Sequence, residues 1–231
     1  MSIIRPRPRR RAIVLGAFLS VCVGAPIAAA PRDAGPATQL HEMFERFEAY
    51  GFSGAVRIVF GGNVLLDEGY GDADARNGVP ATPETVFGVG SITKQFTAMA
   101  ILVLEARGQL STDDRIGTYL DFVPEVKQSI TLHHLLTHTS GLPDAYWDQH
   151  RDLTRDAYLR TIMTTGELRS APGTQYAYSN YGYDLLGRIV EVVAGQPYEA
   201  FLRASLFEPA GMSQTGFAIP EFEPARVARY H

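Results

Sequence analysis

The chain has 231 residues, of which 45% are apolar and 20% charged, and a formal net charge of −4. This is the make-up of one ordinary globular domain with a sizeable core, and it excludes a disordered, repetitive or fibrous protein. Taking away residues 1–30, which hold five arginines and no acid, moves the charge to −9, a balance ill-suited to nucleic acid or an anionic membrane surface.

Those thirty residues form the first predicted element. Arg5, Arg7, Arg9, Arg10 and Arg11 precede the apolar stretch Ala12 to Val23, and Ala28-Ala29-Ala30 follows. The charged, apolar and small-residue order is that of a secretory signal peptide. The expectation is therefore a leader over 1–30 and a domain over 31–231, periplasmic or secreted, tied to a membrane only if the leader stays uncleaved. The single cysteine, Cys22, lies inside the leader, so the remainder has no disulfide, thiol nucleophile or thiolate metal site.

Leu40, Met43, Phe44 and Phe47 recur at helical spacing and predict a helix from about Thr38 to Tyr50. The period then changes. Phe52 to Phe60 and Val64 to Tyr70 read as two strands joined through Gly61-Gly62-Asn63. A loop rich in Gly, Asp, Asn and Pro follows through Pro83, where Asp72 and Asp74 read as solvated turn or cap residues. Ser91 to Gly108 predicts a helix with Gly108 as its C-terminal cap. Shorter helices are expected over Leu132 to Thr137, Thr154 to Thr164, Tyr181 to Val193 and Pro197 to Leu206, and strand patterns are scarce beyond residue 70.

Only two lysines stand against nineteen arginines, and one of them, Lys94, follows three residues after Ser91. Arginine cannot release its proton, whereas a desolvated lysine can act as a neutral base. Residues three apart on a helix share a face, so Ser91 and Lys94 read as a nucleophile and its base. The plainer alternative makes Ser91 an N-cap and Lys94 a solvated first-turn residue. Capping accounts for the serine but not for a cation in the first turn, where the helix dipole favours an acid. A second cluster, Ala177-Tyr178-Ser179-Asn180-Tyr181-Gly182, places a phenol and a carboxamide just before a helix.

Together the two clusters resemble the active-site serine penicillin-recognising enzymes, in the branch of class C β-lactamases, D-alanyl-D-alanine peptidases and family VIII esterases. Supporting segments are Phe52-Ser53-Gly54, Gly69-Tyr70-Gly71, Gly90 to Phe96, Leu135 to Leu142, Gly211-Met212 and Thr215-Gly216-Phe217. The resemblance implies an α/β (α+β) fold, with an antiparallel sheet flanked by helices and an all-helical region. It implies that Ser91 is acylated, that Lys94 helps to deprotonate it, that Tyr178 relays the proton to the leaving group, and that Asn180 holds the substrate amide and orients Lys94. The substrate would be a small molecule or peptide carrying an ester or amide, and no cofactor is implied.

That family carries a third motif, Lys or His followed by Thr-Gly or Ser-Gly, on a strand well over a hundred residues past the tyrosine, and the same strand completes the oxyanion hole. Here fifty-three residues follow Tyr178, and Gln214-Thr215-Gly216 comes too early to match. The expectation is a C-terminally truncated relative lacking the last strands of the sheet, with a non-catalytic remnant or binding module as the alternative. His133, His134 and His138 invite a zinc reading, but no glutamate follows His134 as a zinc-protease motif requires, and structural roles are expected instead. Gly-x-Ser-x-Gly and phosphate-loop motifs are absent.

Overall fold

The computed structural model describes residues 35–145, 152–217, 222–223 and 226–229; the expected leader lies outside them. Helix α1 (Pro36–Ala49) starts with proline, whose fixed φ suits the first turn. It rests on an antiparallel hairpin of β1 (Gly54–Phe60) and β2 (Asn63–Tyr70). Phe60 pairs with Asn63, so the turn is Gly61-Gly62 alone. Both have positive φ, 57° and 81°, the requirement of a tight hairpin turn whose twist matches its strands. The join between helix and hairpin is aromatic: Phe44 stacks on Tyr70 at 5.4 Å between centroids and lies 5.7 Å from Phe52.

Gly69 explains part of the Gly69-Tyr70-Gly71 motif. A Cβ there would sit 2.0 Å from the carbonyl oxygen of Ala81 and 2.6 Å from Cα of Thr82. Both obstacles are backbone, so no rotamer change relieves them. Gly69→Ala is expected to cost about 3 kcal/mol, lowering the thermal midpoint by roughly 10 °C. Gly54→Ala, whose Cβ would meet only the Phe52 ring at 3.4 Å, is the control expected to melt near wild type. Equal midpoints for the two variants would contradict the account.

The loop expected through Pro83 is partly paired. Strand β3 (Asp72–Asp74) runs antiparallel to β4 (Val79–Pro80). Aspartates are poor strand formers, and side-chain hydrogen bonds close this turn instead: Asp74 accepts from the Asn77 backbone N–H at 3.2 Å and from Nδ2 at 2.7 Å. Asp74 is therefore buried, with Arg229 at 3.5 Å, and is not a solvated turn residue. Residues 226–229 run beside this region, with Val86 and Val227 forming a parallel bridge and the Arg229 N–H reaching the Ala73 carbonyl.

The helical region holds the core. Helix α2 (Thr93–Ala106) packs on α5 (Asn180–Ala194), surrounded by α3 (Leu132–Leu136), α4 (Arg155–Thr165) and α6 (Tyr198–Leu202), the last continuing as a π turn over Arg203–Phe207. Ala100, Ile101 and Leu104 of α2 meet Leu185, Leu186, Ile189 and Val190 of α5 in a cluster sealed from solvent. Each large apolar side chain buried there contributes about 1.5–3 kcal/mol. The second lysine, Lys127, is also buried, and its Nζ donates to the carbonyls of Met163 and Gly166 at the end of α4, satisfying groups the helix cannot pair itself. The mixture of antiparallel strands and a helical region agrees with the expected fold class, although the described strands form two separate pairs. Among the described residues no helix is long and apolar enough to cross a membrane.

Candidate active site

Ser91 does not begin the regular helix. It lies in a 3-10 turn, Gly90–Ile92, that leads into α2, and its hydroxyl caps nothing. Lys94 follows in the first turn of α2, and its Nζ donates to Ser91 Oγ at 3.2 Å. Tyr178 and Asn180 come from the start of α5, where Ser179 is the N-cap and accepts the Gly182 N–H at 3.0 Å. Packing of α2 on α5 carries the two clusters together across more than eighty residues of sequence. The Tyr178 hydroxyl lies 2.7 Å from Ser91 Oγ, and Lys94 Nζ donates to Asn180 Oδ1 at 2.7 Å. All four residues singled out in the sequence thus share one hydrogen-bonded group.

The neighbours in the group act on the Tyr178 phenol. Hydrogen bonds from Lys94 and from Ser91 hold the Tyr178 phenol below its usual range, outweighing the opposite effect of burial. Lys94 also lies 4.9 Å from the centre of the Tyr178 ring and 5.6 Å from that of Tyr183. Ser91 is exposed to solvent. Behind Lys94 a cavity of about 200 Å³ is bordered by Thr97, Arg155, Asp184 and Tyr198. Burial pushes the Asp184 carboxyl up, although the hydrogen bond it accepts from Tyr158 at 3.1 Å works the other way.

Two residues that sequence reasoning did not assign to the site hold the start of α5. His138 follows α3 with a φ of 59°, the left-handed region that non-glycine residues seldom occupy. Its carbonyl accepts the Ala177 N–H at 2.8 Å, its Nδ1 accepts the Ser179 N–H at 3.2 Å, and its ring lies 4.6 Å from that of Tyr178. Strain of this kind, on the order of 1 kcal/mol, collects at functional sites, and an isolated positive φ leaves no sequence signal in a histidine. Asp144 accepts the Asn180 backbone N–H at 2.7 Å. It also faces the Asn180 side-chain amide, with Nδ2 at 3.4 Å from Oδ1 and 3.5 Å from Oδ2. It lies just past the resembling segment Leu135 to Leu142, and no sequence pattern marks it.

The histidines do not gather as ligands. His134 Nδ1 accepts the Thr131 N–H while Thr131 Oγ1 accepts the His134 N–H, a reciprocal cap on α3. Among the described residues, no group of three or more His, Cys, Asp or Glu side chains is placed to hold a metal ion.

His138 also sets a pH dependence. Burial first, and then the charge of Lys94, hold its imidazole below the ordinary 6.5, with Asp144 pulling the other way. The folded state therefore binds the proton less readily than the unfolded chain. The stabilisation is complete above about pH 6.5 and is lost as pH falls through the lower, folded-state value. His134, lowered by burial and by His133, adds to the same trend. The thermal midpoint is expected to fall between pH 7 and pH 5, and less steeply in His138→Asn, since asparagine tolerates the left-handed conformation and does not titrate. An identical slope in that variant would rule out His138 as a source.

Comparison with known proteins adds to this geometry. A family model described as Beta-lactamase matches residues 40–231. Penicillin-binding protein 4* of Bacillus subtilis (strain 168) is 34% identical over 199 residues, which is 83% of this chain and 44% of that relative. The octameric penicillin-binding protein homologue from Pyrococcus abyssi superposes with a TM-score of 0.71 at 31% identity, covering 84% of this chain and 47% of the other. A β-lactamase/D-alanine carboxypeptidase from Yersinia pestis, complexed with citrate, superposes with a TM-score of 0.64 at 26% identity, covering 76% and 54%. The chain spans about half the length of these relatives.

Proposed function

Since this chain belongs to the Beta-lactamase family of serine hydrolases, we propose that it is an exported hydrolase that forms an acyl-enzyme on Ser91 from an ester or amide. Its substrate class is a β-lactam, a peptide ending in D-alanyl-D-alanine, or a short acyl ester. The observation that carries this reading is the hydrogen-bonded group of Ser91, Lys94, Tyr178 and Asn180. Export rests on the leader-like order of residues 1–30.

In the proposed reaction, Lys94 in its neutral form takes the proton of Ser91 as Oγ attacks the carbonyl carbon. Positive potential at the start of α2, just past Ser91, favours the oxyanion that forms. Tyr178, 2.7 Å from Oγ, delivers a proton to the departing nitrogen or oxygen as the tetrahedral intermediate collapses. Water then attacks the ester, giving a proton to the Tyr178 phenolate left by that step, and the proton held on Lys94 returns to Ser91 Oγ as the acid departs. Asn180 Nδ2 carries two hydrogens; one faces Asp144 and the other serves a substrate carbonyl.

The test is turnover by the purified protein of a chromogenic cephalosporin, a D-alanyl-D-alanine peptide and a p-nitrophenyl ester. Hydrolysis of at least one is expected. Failure on all three, together with no covalent adduct on folded protein, would contradict the proposal.

A further inference from the structure

We propose that Asp144 is a positioning residue that keeps the lone pair of Lys94 free for Ser91 by dictating which way the Asn180 amide points. The inference rests on the reading of Ser91 as nucleophile and Lys94 as base.

Asn180 stands between Lys94 and Asp144. Its Oδ1 lies 2.7 Å from Lys94 Nζ, its backbone N–H donates to Asp144 at 2.7 Å, and its Nδ2 is turned toward both Asp144 oxygens. An ionised carboxylate only accepts hydrogen bonds. The amide can therefore present only its NH₂ end to Asp144, which leaves Oδ1 for Lys94. The consequence falls on the base. When Oδ1 faces Lys94, the amine spends an N–H on it, and its lone pair is left for the proton of Ser91, whose Oγ lies 3.2 Å from Nζ. With the amide reversed, Nδ2 would donate into that lone pair and occupy the electrons needed for general-base chemistry. The amide end is chosen here by the chemistry of its partners, which is the sound basis for assigning it.

A purely structural role is the competing explanation, because Asp144 also accepts the first N–H of α5. Asparagine caps helices about as well as aspartate, and it matches aspartate in size. Asp144→Asn therefore preserves shape and cap while gaining a donor, so that the Asn180 amide is free to reverse. Asp144→Glu does the opposite: it disturbs shape but remains an acceptor only. If shape is what matters, the asparagine variant is the better protein; if acceptor character matters, the glutamate variant is.

The experiment is the kinetics of covalent labelling by a fluorophosphonate, in which the Oγ–P bond forms as the P–F bond breaks, the serine proton passes to Lys94 and fluoride leaves. Rates are expressed per folded protein, measured by circular dichroism on the same samples. For Asp144→Asn, the maximal labelling rate is expected to fall about tenfold or more, with an unchanged half-saturating reagent concentration and near wild-type melting. Asp144→Glu is expected to label faster than Asp144→Asn. Wild-type labelling on Ser91 with Asp144→Asn equally fast, or faster than Asp144→Glu, would overturn the positioning role and leave the proposed function standing. No labelling of Ser91 in the wild type would overturn the function and this inference with it.

Discussion

Ser91→Ala is expected to remove hydrolysis of every substrate the wild type turns over, by a factor on the order of ten thousand or more. In the proposed reaction the Ser91 hydroxyl forms the ester, while Lys94 and Tyr178 act on its proton. The neighbouring serine offers no substitute: Ser179 is buried and spends its oxygen on the Gly182 N–H. The variant should fold normally. Ser91 is exposed, and its hydroxyl hydrogen-bonds to Tyr178 and Lys94 without capping a helix, so stability should stay within about 0.5 kcal/mol of wild type. Steady-state kinetics and a thermal melt on one preparation separate lost chemistry from lost structure. Retention of full activity would show that another residue carries the acyl group.

Lys94→Arg is expected to cost about a thousandfold in the acylation rate while keeping positive charge in the cleft. Guanidinium can still donate toward Ser91 and Asn180, but it cannot give up its proton at any pH where the protein is folded. The substitution therefore distinguishes a base from a fixed cation. If Lys94 only steadied the Tyr178 phenol or the oxyanion by its charge, arginine would retain most of the rate. The double variant with Ser91→Ala should be no slower than Ser91→Ala alone, because in the proposed reaction the two residues act as one unit. Additive losses would mean that Lys94 contributes through some other step.

The pair of lysines shows what the sequence could convey and what it could not. Their rarity drew attention to Lys94, whose spacing from Ser91 survives in the fold as a 3.2 Å hydrogen bond. Yet Lys127, equally rare, is a buried cap on the end of α4. Scarcity marked specialised positions without separating a candidate base from a structural residue. What sets Lys94 apart is its company in the fold: its Nζ reaches Ser91 Oγ and Asn180 Oδ1 beside the Tyr178 ring, whereas Lys127 Nζ meets two backbone carbonyls.

The long helices were legible because their apolar faces repeat at helical period; α5 spans Asn180–Ala194 where Tyr181 to Val193 was expected. The short strands were not. β3 holds two aspartates, and Asn77 rather than an apolar pattern closes its turn. His138 and Asp144 escaped for a related reason. Each acts through a backbone conformation or through contact with a residue more than thirty positions away, and local sequence carries no trace of either. The 3-10 turn that sets Ser91 apart from α2 is likewise invisible in the pattern, since its residues read equally well as a first helical turn.

The most direct measurement is intact-mass spectrometry of the protein after exposure to a fluorophosphonate, followed by peptide mapping. The account predicts one stoichiometric adduct, located on Ser91. An adduct on a different residue, or none on protein shown to be folded, would contradict it.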